Sequence, residues 1–279
     1  MGLRDRRLQG PRTPRTVTAV FCCLRNGGPL DRKTREHDMS TIIFGDGNLG
    51  RAIAAALRET GTEPLILGRP AGRRHAPADL GGAGMVFEAS RGEAVRGNVE
   101  SALAAGCRRF VIGTTGWDAD RPAVDEALRE AGASALVAAN LSIGAAVFLR
   151  IVERAAALYG AVDGFDPYIV EWHRRSKRDR PSGTARELAR RLSAAQPQSA
   201  DDLEVAVIRA GSSPGMHLVG FDAPGETIEL RLTARDRSAY ASGALAAAAW
   251  LSSESRPAGC HPFDAVVDEM THPALAASA

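Results

Sequence analysis

One stretch of fifteen residues concentrates the side chains able to do chemistry: Glu171-Trp172-His173-Arg174-Arg175-Ser176-Lys177-Arg178-Asp179-Arg180-Pro181-Ser182-Gly183-Thr184-Ala185. His173 carries an imidazole able to hold or give a proton near neutral pH. Lys177 follows four residues later, and with Arg174 and Arg175 it suits an acidic substrate. The Pro-Ser-Gly-Thr turn opens a predicted helix, Thr184–Leu192. Backbone N–H groups of Ser182, Gly183 and Thr184 would face out from its N-terminus, where carboxylates bind readily. The layout fits a small dianion that must also be protonated. An Arg/Lys run alone is more often a solvated loop, or a nucleic-acid patch; the Pro-Ser-Gly-Thr-Ala turn at this spacing favours a site.

A second constellation belongs to a dinucleotide. Gly45-Asp46-Gly47-Asn48-Leu49-Gly50 is a Gly-x-Gly-x-x-Gly directly after a predicted strand, Thr41–Phe44, and it opens a predicted helix, Gly50–Glu59. The glycines permit a tight turn and let backbone approach a pyrophosphate at the helix N-terminus. The second strand ends Leu65-Ile66-Leu67-Gly68-Arg69, without the acid that hydrogen-bonds the ribose of NAD and with Arg73 and Arg74 close behind. A guanidinium there suits a 2′-phosphate, so NADPH is expected as the preferred cofactor and NADH as the lesser one.

The elements that must hold these groups alternate. After the first strand and helix come strands at Glu63–Leu67, Gly84–Phe87, Arg109–Ile112 and Ser134–Ala138, with helices at Glu93–Ala105 and Ala119–Ala131 between the later ones. This alternation predicts an α/β fold, a Rossmann-like doubly wound parallel sheet. Beyond Asn140 the rhythm changes to a long helix near Ile143–Leu158 and strands near Tyr168–His173, Leu203–Arg209, Met216–Phe221 and Thr227–Ala234. Such a run predicts a second, α+β domain carrying a mixed or antiparallel sheet. Ala239–Leu251 and Phe263–Met270 return to helix. The expected division is residues 40–141 plus 240–279 for the nucleotide domain and 142–239 for substrate binding and oligomerisation.

Composition sets outer bounds. The 279 residues are 44% hydrophobic and 24% charged, with a net charge of +2, which describes an ordinary globular protein. Residues 1–39 hold nine Lys/Arg against four Asp/Glu, leaving the remainder at net −3. A mildly acidic body argues against nucleic acid as a partner. Met39 stands directly before the first strand and is expected to be the biological start, with residues 1–38 a disordered or misassigned extension. Cys22, Cys23, Cys107 and Cys260 form no Cys-x-x-Cys pair, so no structural metal is expected and a reduced, cytoplasmic location is. No apolar run is long enough to span a bilayer.

The fifteen-residue stretch resembles the Glu-x-His-His-x-x-Lys-x-Asp-x-Pro-Ser-Gly-Thr-Ala segment of the 4-hydroxy-tetrahydrodipicolinate reductase (dihydrodipicolinate reductase) family. Val111-Ile112-Gly113-Thr114-Thr115-Gly116 and Ala138-Ala139-Asn140-Leu141-Ser142-Ile143-Gly144 are similar to further family segments, as are Ile208-Arg209-Ala210-Gly211 and Ala241-Ser242-Gly243-Ala244. The resemblance covers about residues 41–270. It implies NAD(P)H-dependent reduction of a cyclic unsaturated dicarboxylate in lysine and diaminopimelate biosynthesis. It makes His173 the catalytic acid and Lys177 its cationic partner, with Thr115, Gly183 and Thr184 positioning a carboxylate. It places Ser90, Gly113, Thr114, Thr115, Ala138, Ala139, Asn140 and Leu141 at the cofactor, and it implies a homotetramer assembled through the second sheet. Two departures touch the site. Arg174 stands where the family has a second histidine and would grip a carboxylate bidentately, or mark a related cyclic imine or amino acid as substrate. Glu88-Ala89-Ser90-Arg91-Gly92 replaces an Asp-Phe-Thr-x-Pro pattern. The remaining histidines, His37, His75, His217, His261 and His272, are expected in loops or near termini, with surface or structural roles.

Overall fold

The computed structural model describes residues 40–68, 80–195 and 203–271. Met39, the extension before it, and Arg69, Arg73 and Arg74 lie outside the described residues.

The first sheet is built from β1 (Thr41–Phe44), β2 (Leu65–Leu67), β3 (Met85–Glu88), β4 (Arg109–Ile112), β5 (Ser134–Val137) and β10 (Gly259–Pro262). Its order is β10-β5-β4-β3-β1-β2, and every pairing is parallel. The strands are short and apolar, so both faces must be covered. Ile43, Phe87, Val111 and Leu136 point to one face. There they meet α1 (Asn48–Glu59), α6 (Ser238–Ser253) and α7 (Asp264–Thr271) through Ile53, Leu57, Leu245, Leu251 and Val267. Ile42, Phe44, Val86, Phe110 and Ile112 point the other way, onto α2 (Gly92–Ala104) and α3 (Arg121–Glu130) through Val95, Val99, Val124 and Leu128. In α1 the buried Gly50, Ile53, Ala54 and Leu57 repeat at the three-and-four spacing of one helical face.

The strand β10 was not expected. Gly-Cys-His-Pro carries no apolar pattern, and its pairing is tertiary: Gly259 through Pro262 align with Ser134 through Val137. The backbone N–H of Cys260 donates to Asp125 Oδ1 at 2.6 Å, which locks this edge to α3.

The second sheet has the order β7-β6-β8-β9, from β6 (Asp166–His173), β7 (Glu204–Arg209), β8 (Met216–Ala223) and β9 (Glu226–Thr233). β6 runs parallel to β7 and antiparallel to β8, so the sheet is mixed. One face packs on α4 (Ile143–Tyr159) and α5 (Gly183–Ala195), around Phe148, Val152, Ile169, Leu188, Val219 and Phe221. On that same face the apolar side chains stop where β6 reaches Glu171 and His173, and polar groups continue the layer.

The two sheets meet through the segment that leaves β5. Gly243 of α6 lies so close to it that an added Cβ would sit 1.6 Å from the carbonyl oxygen of Leu141. Only glycine allows α6 to approach that strand end. The Asn140 side chain accepts from Ser142 N–H at 2.9 Å, and the Ser142 hydroxyl caps α4 by accepting from Ala145 N–H at 3.2 Å.

Candidate active site

The order of the first sheet reverses between β1 and β3, and in open parallel sheets ligands bind outside the carboxyl ends of strands at such a point. The glycine loop occupies that end of β1. Gly45 has φ +104°, and a Cβ there would meet the Ala89 carbonyl at 2.4 Å; a Cβ on Gly50 would meet the Gly45 carbonyl at 2.0 Å. A Cβ on Gly47 would meet nothing within 4 Å. Gly47 is the N-cap of α1, no side chain caps the helix, and its first turn holds no acid. The loop is thus folded tightly on itself while its outer side stays open before a partly positive helix end, which fits a pyrophosphate. Asp46 stands at the tip, its carboxylate 3.7 Å from where a Cβ of Gly68 would be.

Glu88 ends β3 and is buried. Its carboxylate accepts from Ser90 N–H at 2.9 Å, Asn98 Nδ2 at 2.9 Å and the Thr114 hydroxyl at 3.1 Å, with the Ser90 hydroxyl closer still. Burial pushes its pKa up, against the pull of those donors. It ties the strand ends of β3 and β4, and with them Ser90 and Thr114, into one unit. Thr115 is exposed beside them, and a Cβ on Gly113 would press on Leu49 and Leu141 at 3.0 Å. The three sequence segments expected at a cofactor are therefore neighbours in space.

The second constellation forms at the polar end of the second sheet. Residues two apart on a strand share a face, so Glu171 and His173 both turn inward. Register puts His217 of β8 directly across from Glu171 and Arg209 of β7 beside His173. All four are buried. Arg209 Nη2 donates to Glu171 Oε1 at 2.7 Å and to the Asp179 carbonyl at 2.6 Å. Ser182 N–H reaches the same carboxylate oxygen at 3.0 Å. Glu171 Oε2 is left facing His173 Nδ1 at 3.4 Å, and the rings of His173 and His217 meet edge to face with centroids 5.1 Å apart.

Burial alone would raise the Glu171 pKa, but the Ser182 and Arg209 hydrogen bonds outweigh it and hold the carboxyl ionised, below its ordinary value. His173 is lowered, chiefly by burial, with Lys177 and Arg209 adding to the effect and Glu171 opposing it. His217 is pushed down to about 4, first by burial and then by the neighbouring His173. Glu171, His173 and His217 offer atoms within 4.8 Å of one another. Yet the Arg209 guanidinium already sits on the carboxylate, and a fixed cation there opposes a metal ion. The arrangement is suited to holding and moving a proton.

Around this buried set lie the exposed cations. Lys177 Nζ pairs with Asp179 at 2.8 Å, and Arg174 is exposed with its Nε on the Ser176 hydroxyl at 3.2 Å. One expectation is corrected here. Ser182 has no free N–H, because that group holds Glu171, and its hydroxyl caps α5 by accepting from Ala185 N–H at 3.2 Å. Gly183 and Thr184 supply the first-turn N–H groups, which have no intrahelical acceptor. His217 corrects another: it lies inside β8, buried, and not in a loop. His261 likewise belongs to a strand, β10, while His37, His75 and His272 fall outside the described residues. Glu171 and Arg209 complete the cluster without a role assigned to them from the sequence. The Glu-x-His spacing on a strand was the available signal for the first, and nothing local marks the second.

The family model described as dihydrodipicolinate reductase, C-terminus, matches residues 144–266. The 4-hydroxy-tetrahydrodipicolinate reductase of Wolinella succinogenes is 36% identical over 193 residues, spanning 63% of this chain and 73% of that protein. The protein of the same name from Laribacter hongkongensis is 31% identical over 255 residues, spanning 77% of this chain and 93% of its own length. Among solved structures, the dipicolinate-bound dihydrodipicolinate reductase from Paenisporosarcina sp. TG-14 shares the fold, with TM-score 0.63 at 18% identity over 80% of this chain and 97% of that one. With the strand-end glycine loop and the Glu171–Ala185 stretch folded as described, the chain belongs to the 4-hydroxy-tetrahydrodipicolinate reductase family.

Proposed function

We propose that the protein reduces 4-hydroxy-tetrahydrodipicolinate, or the dihydrodipicolinate that differs from it by one water, to tetrahydrodipicolinate in lysine and diaminopimelate biosynthesis. The observation that carries this reading is the meeting, at one sheet end, of a shielded imidazole with a lysine and a helix N-terminus. A reduced nicotinamide, when bound, supplies the hydride. The chain's own residues do the rest. Gly45 to Gly50 and the start of α1 hold the pyrophosphate, while Ser90, Thr114, Thr115 and the Ala138–Leu141 strand end enclose the nicotinamide. Thr115, Gly183 and Thr184 hold one substrate carboxylate. Lys177, released from Asp179, stabilises negative charge as it develops on the ring. His173 gives the proton to the carbon next to the reduced one.

NADPH is the preferred cofactor in this reading. Support comes from Arg69, Arg73 and Arg74 after β2 and from the missing acid at that strand's end; Asp46, whose carboxylate lies beside Gly68, would favour an unphosphorylated ribose. The protein works as a homotetramer, supported by the open apolar face of the second sheet.

The test is NADPH oxidation followed at 340 nm, with substrate generated in situ by condensation of pyruvate and aspartate semialdehyde. Rapid turnover, with NADPH more efficient than NADH, is expected. Cofactor binding without turnover would move the activity to a related cyclic imine or amino acid, the reading that Arg174 favours by replacing a histidine with a longer, permanently charged group.

A further inference from the structure

His173 is enclosed on three sides, and each side acts on a different part of the ring. Glu171 Oε2 faces Nδ1 at 3.4 Å, and neither atom has another hydrogen-bond partner among the described residues. His217 lies edge to face against the ring. On the far side Gly215, at φ +152°, comes so near that an added Cβ would stand 3.0 Å from Nε2. A buried polar atom left unpaired is destabilising. A proton on Nδ1 removes both penalties at once, since it places a donor in front of an ionised carboxylate. The other carboxylate oxygen is held by Arg209 and Ser182 and cannot turn away.

We propose that Glu171, anchored by Arg209, is the positioning residue that keeps a hydrogen on Nδ1 of His173 and so makes Nε2 the nitrogen that delivers the proton. The inference rests on the proposed reductase reading for the identity of the acceptor carbon. The imidazolium starts with hydrogens on both nitrogens. The Nε2–H bond breaks as the substrate C–H bond forms, and the neutral Nδ1–H imidazole remains on Glu171, which stays ionised throughout. Solvent then restores the proton to Nε2. His217 braces the ring edge to face.

The charged and titratable groups facing His173 are Glu171 on β6, Arg209 on β7, His217 on β8, and Lys177 and Asp179 on the loop between β6 and α5. Among them only the two carboxylates favour the imidazolium, and Glu171 is the stronger influence. In Glu171→Gln the imidazolium therefore loses its main support. The expected result is a kcat lower by about 10- to 100-fold, short of the complete loss of a general acid, with little change in KM. The high-pH limb of the kcat/KM profile should also move to lower pH. Glu171→Asp, which keeps a carboxylate, should retain the limb nearer its original position. A Glu171→Gln enzyme whose whole profile falls without any movement of the limb would overturn the proposal.

A second measurement needs no change at Glu171 and no substrate. In the full-length protein labelled with ¹⁵N-histidine, the neutral His173 ring should be the Nδ1–H tautomer, its signals assigned by their loss in His173→Asn. An Nε2–H tautomer would overturn the proposal whatever the kinetics show. Absence of turnover together with the Nδ1–H tautomer would reject the assigned substrate and leave the positioning role standing.

Discussion

At the scale of single residues, the cluster at the end of β6 separates groups that touch a substrate from groups that set their chemistry. His173→Ala removes the proposed proton donor and should lower kcat by about 10²–10⁴. Lys177→Ala should lower kcat and raise KM together, because in the proposed mechanism its ammonium serves both the resting carboxylates and the charge that develops on the ring. Steady-state kinetics decides both cases, and near-normal turnover would remove the residue from the mechanism. His217 makes a prediction about stability. Its folded pKa of about 4 lies below the ordinary 6.5, so between these values the unfolded chain binds more protons than the folded one. Its contribution is therefore intact above about pH 6.5 and is lost as the pH falls toward 4. The difference corresponds to roughly 3 kcal/mol at most. His217→Asn should flatten the fall in Tm between pH 7 and pH 4; an unchanged slope would show that another group drives the acid sensitivity.

At the scale of elements, the glycine loop shows how one strand-to-helix turn does two jobs through different glycines. Gly50→Ala would drive a Cβ to 2.0 Å from the Gly45 carbonyl, so it should lower Tm and cofactor affinity together. Gly47→Ala meets nothing within 4 Å in the folded chain and should leave Tm unchanged. On the proposed reading its new methyl group lies where the pyrophosphate would come close, so NADPH binding should weaken about ten-fold, about 1.4 kcal/mol. Thermal unfolding and a fluorescence titration with NADPH separate the two, and tight binding by Gly47→Ala would show that the ligand does not sit on this loop. Such elements were legible in the sequence because local signals coincide: apolar strand, glycines at fixed spacing, amphipathic helix. The strand β10 was not legible, since Gly-Cys-His-Pro becomes a strand only by pairing with β5, more than a hundred residues away. The same holds for the site. His173 and Lys177 stand out by type and spacing, whereas Arg209 and His217 reach Glu171 and His173 only through the register of β7 and β8.

At the scale of the whole molecule, the second sheet poses a problem that one chain leaves unsolved. Its inner face is covered by α4 and α5, but its outer face carries Val170, Trp172, Ile208 and Leu218, of which Trp172 is 39% and Ile208 44% exposed. Strand alternation requires this arrangement once Ile169, Glu171 and His173 turn inward, so the outer side chains are the inevitable partners of the inner ones. Register sets Trp172 beside Ile208 and Val170 beside Leu218, with Glu204, Glu229 and Arg231 toward the edges of the same face, and apolar side chains grouped on an open sheet mark an interaction site. On the proposed reading a second copy of the same sheet is its self-complementary occupant; that pairing gives a dimer, and the tetramer proposed above needs one further contact beside it. Ile208→Glu puts a charge on this face and leaves the buried side of β7, including Arg209, in place. Light scattering after gel filtration should show the wild-type protein as a tetramer and Ile208→Glu as smaller species. The two faces of β6 have different tasks, with His173 inward and Trp172 outward, so loss of assembly should also loosen the end of the strand that holds the proposed acid. The variant is accordingly expected to lose kcat as it dissociates. A tetramer that survives Ile208→Glu would place the contact elsewhere, and a dissociated protein with full activity would show that β6 keeps its shape without a partner.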